Sequence, residues 1–204
     1  MATAADQLVD TIQRFHSRGW CEGTGGNFSL VLEAEPLRLL MAPSGVDKGS
    51  LTADRLIELN GEGQVVRGQG AASAETLLHL QVIRDCHAGA VLHTHSVTAT
   101  LLSRHHQESG CIELEGWEML KGLSGIGTHH TSVKIPIIAN NQDLKILSAQ
   151  AAQHLPCAAH GLLVAGHGLY AWGDGLTTAR RHVEILEFLL ELHWRSTVLM
   201  GMQT

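Results

Sequence analysis

Residues 90–95 of the chain read Ala-Val-Leu-His-Thr-His, a short apolar run that follows Gly89 and ends in two histidines. An apolar run of this length after a glycine predicts a buried β-strand. On a strand, residues i and i+2 project from the same face, about 6.5–7 Å apart, so His93 and His95 are placed to converge on one cation. Neutral imidazole is a common ligand of zinc and other divalent metals. A His-x-His pair alone is equally compatible with two ordinary histidines on a strand.

The segments outside this run alternate between helical and strand-like patterns. Helical spacing of the apolar residues at positions 8, 9, 12 and 15 predicts an amphipathic N-terminal helix. Apolar runs and turn residues predict strands at 28–32, 37–42, 135–139 and 161–172, and helices near 52–54 and at 74–86, 96–105 and 178–199. Asn60-Gly61 and Glu62-Gly63 predict a turn between two further strands. No linker or internal repeat interrupts the 204 residues. The sequence therefore predicts a single α/β domain over residues 1–204.

The charged fraction is low and the glycine content is high. Charged residues make up 17% of the chain, and 22 of its residues are glycine, whereas typical soluble domains have roughly 25% charged residues and 7% glycine. This composition indicates tight turns and additional buried surface, such as a subunit interface. The net charge of −6 is spread along the chain without a basic run, which argues against nucleic acid or an anionic membrane as the main partner.

Cysteine spacing and the N-terminal sequence indicate a cellular location. The four cysteines are widely spaced and form no Cys-x-x-Cys pair, which predicts free thiols in a reducing compartment. The first ten residues, MATAADQLVD, lack the basic and apolar regions of a signal peptide. No apolar run approaches the roughly 18 residues that a spanning helix needs. We therefore expect a cytoplasmic protein with no membrane partner.

A third histidine makes a metal site more plausible than the His-x-His pair alone. His167 lies between Gly166 and Gly168, in the middle of a predicted strand. Glycine inside a strand often marks the close approach of a ligand or another backbone. A catalytic zinc takes three protein ligands and keeps one position for water or substrate, and His167 would complete the set with His93 and His95. The alternative is that both glycines serve a bulge and His167 only packs there.

Three short segments are suited to binding an anion. Gly25-Gly26-Asn27 can expose backbone N–H groups beside an amide, as phosphate-binding nests do. Ser44-Gly45 offers a hydroxyl and another N–H group, and Ser73 is placed to cap the helix predicted at 74–86, where the helix dipole favours negative charge. Each segment taken singly is equally consistent with a plain turn or cap.

Two acidic residues are candidates for proton transfer. Glu75 follows Ser73 by two residues, so it can also be a simple favourable charge in the first turn of a helix. Glu118 follows Trp117, and burial beside this ring would raise its pKa, as a proton donor at neutral pH requires. The alternative for Glu118 is an exposed ion pair with Lys121 at i+3. Spacing does not decide between these interpretations.

Taken together, these motifs resemble the class II (zinc-dependent) aldolase and adducin-head family. The matching segments occur in the family's order and span nearly the whole chain: Thr24-Gly25-Gly26-Asn27, Pro43-Ser44-Gly45, Ser73-Ala74-Glu75-Thr76, residues 90–95, and Gly166-His167-Gly168 with the Tyr-Ala-Trp-Gly stretch at 170–173. The resemblance implies a three-layer α/β/α sandwich around a mostly antiparallel central sheet. It also implies a homotetramer with active sites between subunits.

The resemblance further implies an activity. Residues 118–122, Glu-Met-Leu-Lys-Gly, are similar to the E-M-[IL]-K-G stretch of dehydrating family members that act on a methylthio-substituted ketose 1-phosphate. By that likeness, His93, His95 and His167 hold one Zn²⁺ per subunit and Glu118 is the acid/base, with Glu75 as a second catalytic candidate. The substrate phosphate is expected at the anion-binding segments, contributed by Gly26, Asn27, Ser44, Gly45 and Ser73.

Two other functions stay open at this point. Some dehydrating members carry Cys where this chain has Glu75, whereas sugar-phosphate aldolases of the family carry Glu there as a metal ligand or base. The chain is therefore also compatible with a zinc aldolase or epimerase that acts on a sugar phosphate such as fuculose or ribulose phosphate. A non-catalytic interaction module, as in adducin heads, is the third alternative, but a scaffold has no need for three convergent metal ligands.

Overall fold

The computed structural model describes residues 2–202, and these residues form one mixed β-sheet with helices on both faces. Their α-helices are α1 (Ala4–Ser17), α2 (Thr76–Cys86), α3 (Val97–His105), α4 (Leu144–His154) and α5 (Leu176–Gly201). Their strands are β1 (Asn27–Ala34), β2 (Leu37–Met41), β3 (Ile57–Asn60), β4 (Val65–Arg67), β5 (Ala90–Thr94), β6 (Cys111–Glu115), β7 (Ser132–Ile138), β8 (Gly161–Val164) and β9 (Gly168–Gly173). Short 3-10 turns lie at Ala53–Arg55, Glu118–Gly122 and Leu155–Cys157.

The central strand of the sheet is the one that carries the His-x-His pair. The order across the sheet is β4-β3-β2-β1-β5-β9-β8-β7-β6, and neighbouring strands are antiparallel except for the parallel pair β7 and β8. On β5, His93 lies opposite Asn27 of β1 and opposite Tyr170 of β9. All five residues of β5 are buried, as the apolar run predicted.

Two separate apolar clusters cover the two faces of the sheet. One contains the apolar residues of α1, α3 and α5, and the other contains those of α2 and α4. An amphipathic helix buries its apolar stripe against a sheet face, and two such layers enclose the sheet. The predicted three-layer α/β/α sandwich around a mostly antiparallel sheet is therefore confirmed.

The structure corrects the predicted position of His167. Strand β8 ends at Val164 and β9 begins at Gly168, so His167 lies in the turn between two strands and not in the middle of one. The His167 N–H donates to the carbonyl of Val164 at 3.0 Å and closes this turn. Gly166 has φ +65°, a left-handed conformation that glycine adopts without steric cost. The glycines therefore shape a hairpin turn that carries the histidine.

The predicted helix cap at Ser73 is also wrong. Helix α2 begins at Thr76, with Glu75 in the N-cap position and no side chain capping the helix. The Glu75 N–H donates to the Ser73 hydroxyl at 3.2 Å, and the Thr76 N–H donates to the Ser73 carbonyl at 3.1 Å. Ser73 thus opens a turn that leads into α2, and this turn places Glu75 where the helix starts.

Two elements were missing from the sequence prediction. Strand β6 pairs with β7 at the far edge of the sheet, and α4 packs beside α2 on one face. None of the helices within residues 2–202 is long and apolar enough to cross a membrane.

Candidate metal centre and active site

Three histidine side chains meet at one end of the central strand. The Nε2 atoms of His93 and His95 lie 2.8 Å apart, those of His95 and His167 lie 3.1 Å apart, and those of His93 and His167 lie 3.3 Å apart. Within residues 2–202 this is the one group of three or more histidine, cysteine or acidic side chains arranged to hold a metal ion. The predicted convergence of these three residues is therefore present in the structure.

Glycines leave the space that the imidazoles occupy. A Cβ atom on Gly25 would lie 2.9 Å from Nδ1 of His95. A Cβ atom on Gly168 would lie 2.1 Å from the carbonyl oxygen of Thr94 and 3.3 Å from Cε1 of His93. Real Cβ contacts do not reach such distances without displacement of the neighbour. The motif glycines Gly25 and Gly168 thus allow the backbone and the imidazole rings to pack closely, because neither position has room for a side chain.

Hydrogen bonding and burial keep the imidazoles in the form that binds metal. Nδ1 of His93 lies 2.9 Å from the carbonyl of Leu169, and since a carbonyl only accepts, Nδ1 carries the proton and Nε2 keeps its lone pair. Burial and the neighbouring imidazoles lower the pKa of His93 well below its usual value. Burial and the ring of His167 lower the pKa of His95 to about 4. These residues fit a divalent metal, because its ligands must be neutral and unprotonated at the binding atom.

A carboxylate lies against this histidine cluster. Oε2 of Glu75 lies 3.7 Å from Nε2 of His93, and Oε1 lies 3.4 Å from Nε2 of His167. The Glu75 side chain is 15% exposed and accepts a hydrogen bond from Nδ2 of Asn27. The position of Glu75 suits either a fourth metal ligand or a base that acts on a molecule held at the histidines.

A buried hydrogen-bond chain continues behind Asn27. Its Oδ1 is bonded to Nε2 of His79, and Nδ1 of His79 lies 2.7 Å from the hydroxyl of Ser29. Asn27, His79 and Ser29 are all buried. The oxygen of the Asn27 amide and one of its N–H groups are therefore engaged within the protein. Sequence reasoning missed His79, which shares no motif with the other site residues.

The histidine cluster opens into a cavity of about 600 Å³. Among the predicted site residues, its lining includes Ser44, Ser73, Glu75, His95 and His167. The sequence did not single out the rest of the wall: Thr100, Asn140, Asn141, Gln142, Leu144 and Leu147. The cavity thus combines polar groups with apolar patches, as small-molecule sites do.

The remaining predicted phosphate residues lie outside this wall. Gly26 packs so closely behind the site that a Cβ atom would lie 2.8 Å from the carbonyl oxygen of His93. Gly45 lines a smaller cavity of about 240 Å³. A cavity of about 660 Å³ at the β1–β2 hairpin is slightly larger than the one at the histidines. We place the chemistry at the histidines, because the larger cavity contains none of the metal-binding cluster.

Glu118 differs from its predicted environment. Its side chain is 65% exposed and pairs with Lys121 and with Nδ1 of His129, the latter at 3.1 Å. The hydrogen bond from Lys121 is the main cause that lowers the pKa of Glu118, so the predicted rise by burial beside Trp117 is wrong for the single chain. Glu118 does not line the cavity at the histidines. The i+3 pair with Lys121, given as the alternative, is present.

The fold and the site define a class of protein. Residues 6–194 match the class II aldolase and adducin N-terminal domain family, and the chain belongs to that family. Its fold is similar to the solved structure of L-fuculose-1-phosphate aldolase from Thermus thermophilus, with a TM-score of 0.75 at 24% identity, covering 96% of this chain and 95% of that one. This likeness concerns the fold.

Curated relatives are more similar in sequence. The methylthioribulose-1-phosphate dehydratase of Serratia proteamaculans (strain 568) is 46% identical over 196 residues, which cover 93% of this chain and 94% of the relative. The enzyme of the same name from Bradyrhizobium sp. (strain BTAi1 / ATCC BAA-1182) is 41% identical over 197 residues, which cover 93% of this chain and 89% of the relative. The similarity therefore covers almost the full length of both proteins.

Proposed function

We propose that the protein is a hydro-lyase of methionine salvage that removes water from 5-methylthioribulose 1-phosphate. The product is 2,3-diketo-5-methylthiopentyl 1-phosphate. The observation that carries this proposal is the convergence of three imidazoles and the Glu75 carboxylate beside a cavity that His95, His167 and Glu75 line. Relatives named methylthioribulose-1-phosphate dehydratase, 41–46% identical over almost the whole chain, support the choice of substrate.

The proposed cofactor is one Zn²⁺ per subunit, held by Nε2 of His93, His95 and His167. A divalent metal at this place supplies Lewis-acid polarisation of a substrate carbonyl and of the hydroxyl beside it. The chain's own contribution is to keep the imidazoles of His93 and His95 neutral and to fix the ring of His93 through Leu169. Such fixed ligands need no reorganisation when the substrate binds.

The substrate phosphate is proposed to bind at the polar end of the cavity. The hydroxyls of Ser44 and Ser73 line that cavity and can donate to phosphate oxygens. The backbone around Gly26, Asn27 and Gly45 completes the proposed anion site. Phosphate binding there would place the ketose carbon atoms beside the histidines.

Two proton transfers are needed for the dehydration. The proton on C3 of the substrate leaves first, and the hydroxyl on C4 then leaves as water after it accepts a proton; the resulting enol becomes the second ketone. Glu75 lies against His93 and His167, where it can accept or return a proton on a molecule in the cavity. Glu118 is exposed and lies outside the cavity of its own chain, so we propose that it acts as the acid/base in the cavity of a second copy.

We further propose a cytoplasmic homotetramer. Large apolar side chains are exposed on α3, α5 and the 118–122 turn, and a subunit interface would bury them: Val97, Leu101, Met119, Phe188 and Trp194. Light scattering on the purified protein tests this proposal. A mass of four chains of 22.0 kDa is expected, and a monomer at micromolar concentration would contradict it.

Mass spectrometry of 5-methylthioribulose 1-phosphate after incubation with the zinc-loaded protein tests the proposed reaction. Loss of one water with formation of the diketone phosphate is expected, and chelation should abolish it. The His93→Ala protein serves as the matched control, because it keeps the cavity but lacks one ligand. Unchanged substrate with fully loaded protein would contradict the proposal.

A zinc aldolase or epimerase is the second candidate. It is favoured by Glu75, whose carboxylate contacts two of the three histidines and which the aldolases of the family carry at this position. An aldolase would cleave a carbon–carbon bond and release an aldehyde from a ketose 1-phosphate. Aldehyde release in a coupled dehydrogenase assay, together with no loss of water from the methylthio substrate, would favour this candidate.

A further inference from the structure

His79 is a fully buried residue for which the proposed reaction has no direct use. It lies in α2, one turn after Glu75, and its side chain has no exposed surface. It does not line the cavity at the histidines. Burial lowers the pKa of His79 to about 3, so the ring is neutral and carries a single N–H. Which nitrogen carries this proton decides what His79 can do.

The hydrogen bonds that connect Glu75 through Asn27 and His79 to Ser29 each have a direction, and this direction follows from the carboxylate of Glu75. The Asn27 amide nitrogen donates to Oε2 of Glu75, so the amide oxygen is the atom that faces Nε2 of His79. An amide oxygen only accepts, so Nε2 of His79 must carry the proton and donate it. Nδ1 then holds the lone pair and accepts from the Ser29 hydroxyl at 2.7 Å.

The opposite orientation of the Asn27 amide is unfavourable in this chain. It would place the amide oxygen against Oε2 of Glu75 and the NH₂ group against the N–H of His79. One acceptor would then face another acceptor, and one donor would face another donor. Both mismatches would be buried, where unsatisfied polar groups are costly. A donor at Nε2 of His79 therefore selects the amide orientation that offers an N–H to Glu75.

We propose that His79 is a positioning residue that, through the amide of Asn27, fixes the carboxylate of Glu75 against the three histidines. This inference rests on the proposed function, in which Glu75 acts on the substrate. Without the N–H from Asn27, Oε2 of Glu75 loses the hydrogen bond that orients it, and the carboxylate can rotate away from His93 and His167. The chemical step should suffer, whereas metal and phosphate binding should not.

The proton position on His79 can be measured without substrate. Nitrogen-15 NMR of the zinc-loaded protein, labelled on histidine, distinguishes a protonated from an unprotonated ring nitrogen. The His79 signals are identified by their absence from the spectrum of the His79→Gln protein. A proton on Nε2 with an unprotonated Nδ1 is expected. A proton on Nδ1 would overturn the proposal, because His79 could then not donate to Asn27.

Two substitutions at position 79 separate hydrogen bonding from packing. His79→Gln keeps a side-chain N–H near the place of Nε2, whereas His79→Leu keeps the volume and removes the donor. For His79→Leu we expect kcat to fall about 100-fold, the size of loss caused by about 1 Å of misplacement. KM and zinc content should stay within about twofold of the wild type. His79→Gln should recover most of the lost kcat.

Matched variants make the result decisive. Val82→Ala removes buried volume from the same helix without touching the chain of hydrogen bonds, so it should lower Tm and leave kcat unchanged. In an Asn27→Ala background, His79→Leu should cause no further loss of kcat, because the connection to Glu75 is already cut. This double variant also tests the proposal if His79→Leu alone is unstable.

Besides a proton on Nδ1, three outcomes of the substitutions would overturn the proposal: equal losses in His79→Leu and His79→Gln, additive losses in the double variant, or loss of zinc from His79→Leu. Absence of turnover by the wild-type protein would contradict the proposed function alone, because the NMR measurement needs no substrate.

Discussion

The two acidic residues that the sequence singles out, Glu75 and Glu118, lie in opposite environments. Glu75 is 15% exposed, contacts the buried His93 and the half-buried His167, and accepts a hydrogen bond from a buried amide. Glu118 is 65% exposed and pairs with Lys121 and His129 at the surface. One chain therefore contains the whole histidine half of the candidate site, while the 118–122 turn lies outside that cavity.

This difference indicates how the two halves are held. The histidine half is fixed by close packing and burial. Gly25 and Gly168 occupy positions where a Cβ atom would collide with a neighbouring atom, and the backbone carbonyl of Leu169 fixes the ring of His93. The turn at Glu118–Gly122 is anchored through buried Leu120 and through Gly122 packed on Ile185, and just beyond it the N–H of Ser124 donates to His182. In the proposed tetramer a second chain would supply the missing enclosure around Glu118, and each prediction below tests one side of this contrast.

Removal of a metal ligand should have the largest effect. For His167→Ala we expect the bound zinc to be lost and kcat/KM to fall about a thousand-fold or more, since a metal contributes several kcal/mol to a reaction of this kind. Metal analysis and the dehydration assay measure both quantities. His105→Ala is the matched control, because His105 is exposed on α3 outside the cluster. Full zinc and activity in both His93→Ala and His95→Ala would refute the metal site.

Glu118→Gln tests the exposed half of the site. Loss of a general acid or base typically costs about 10²–10⁴-fold, and we expect a fall in kcat of this size with zinc content unchanged. Glu113→Gln, at an exposed position on β6, should keep full activity. If the Glu118→Gln enzyme turns over normally, the carboxylate is only the surface ion pair that the single chain displays.

Mixing two inactive variants tests whether Glu118 acts in a second copy. In a tetramer assembled from equal amounts of Glu118→Gln and His95→Ala chains, about a quarter of the sites would join an intact histidine cluster to an intact Glu118. We therefore expect about a quarter of the wild-type activity after refolding or subunit exchange. No activity in such mixtures, with mixed tetramers shown by native mass spectrometry, would place Glu118 in the site of its own chain.

A single methyl group should disturb the packed half of the site. Alanine at Gly25 would place a Cβ atom 2.9 Å from Nδ1 of His95, so the ring must shift. Changes around a metal ligand typically cost about 10–100-fold in metal affinity, and we expect a loss in this range by competition with a chelator. Gly127→Ala is the control, because nothing lies within 4 Å of its Cβ position. Unchanged affinity in Gly25→Ala would show that the histidine cluster tolerates movement.

The sequence predicted the histidine cluster well because local periodicity determines it. Alternation along β5 places His93 and His95 on one face, and the apolar run that precedes them predicts the buried strand. His167 was found through its flanking glycines, although these form a turn and not a strand interior. The partners of Glu75 were not predictable in this way, because Asn27 and His79 meet through pairing of distant segments.

Weak patterns explain the two missed elements. In β6, Ile112 and Leu114 are buried between exposed acidic residues, an alternation that spans only five positions. Helix α4 buries Leu147, Ser148 and Ala151, and a face with two small side chains gives little apolar periodicity. The environment of Glu118 was left open between burial beside Trp117 and an exposed ion pair with Lys121, because spacing within one segment does not determine whether a side chain is buried.

A pH-dependent effect at His182 is the smallest that we predict, and it concerns the anchor of the 118–122 turn. Nε2 of His182 accepts from the N–H of Ser124 at 3.1 Å, and its Nδ1 lies 2.6 Å from the carbonyl of Trp172. Burial lowers the pKa of His182 to about 4, with the hydrogen bond to Trp172 opposing this shift. Because the unfolded chain takes up this proton near pH 6.5 and the folded chain does not, the stabilisation is complete above that pH and is lost as the pH falls towards 4.

The His182→Gln protein lacks this contribution. Between pH 6 and pH 5, the free energy of unfolding of the zinc-free wild type should therefore fall by about 1.2 kcal/mol more than that of the variant, nearly the value of one proton per pH unit. Urea unfolding of both proteins at the two pH values measures the difference. If the free energy of unfolding falls equally in both proteins, His182 takes up its proton in the folded protein as readily as in the unfolded chain. The ring would then be charged in this pH range, and its Nε2 could not accept the hydrogen bond from Ser124.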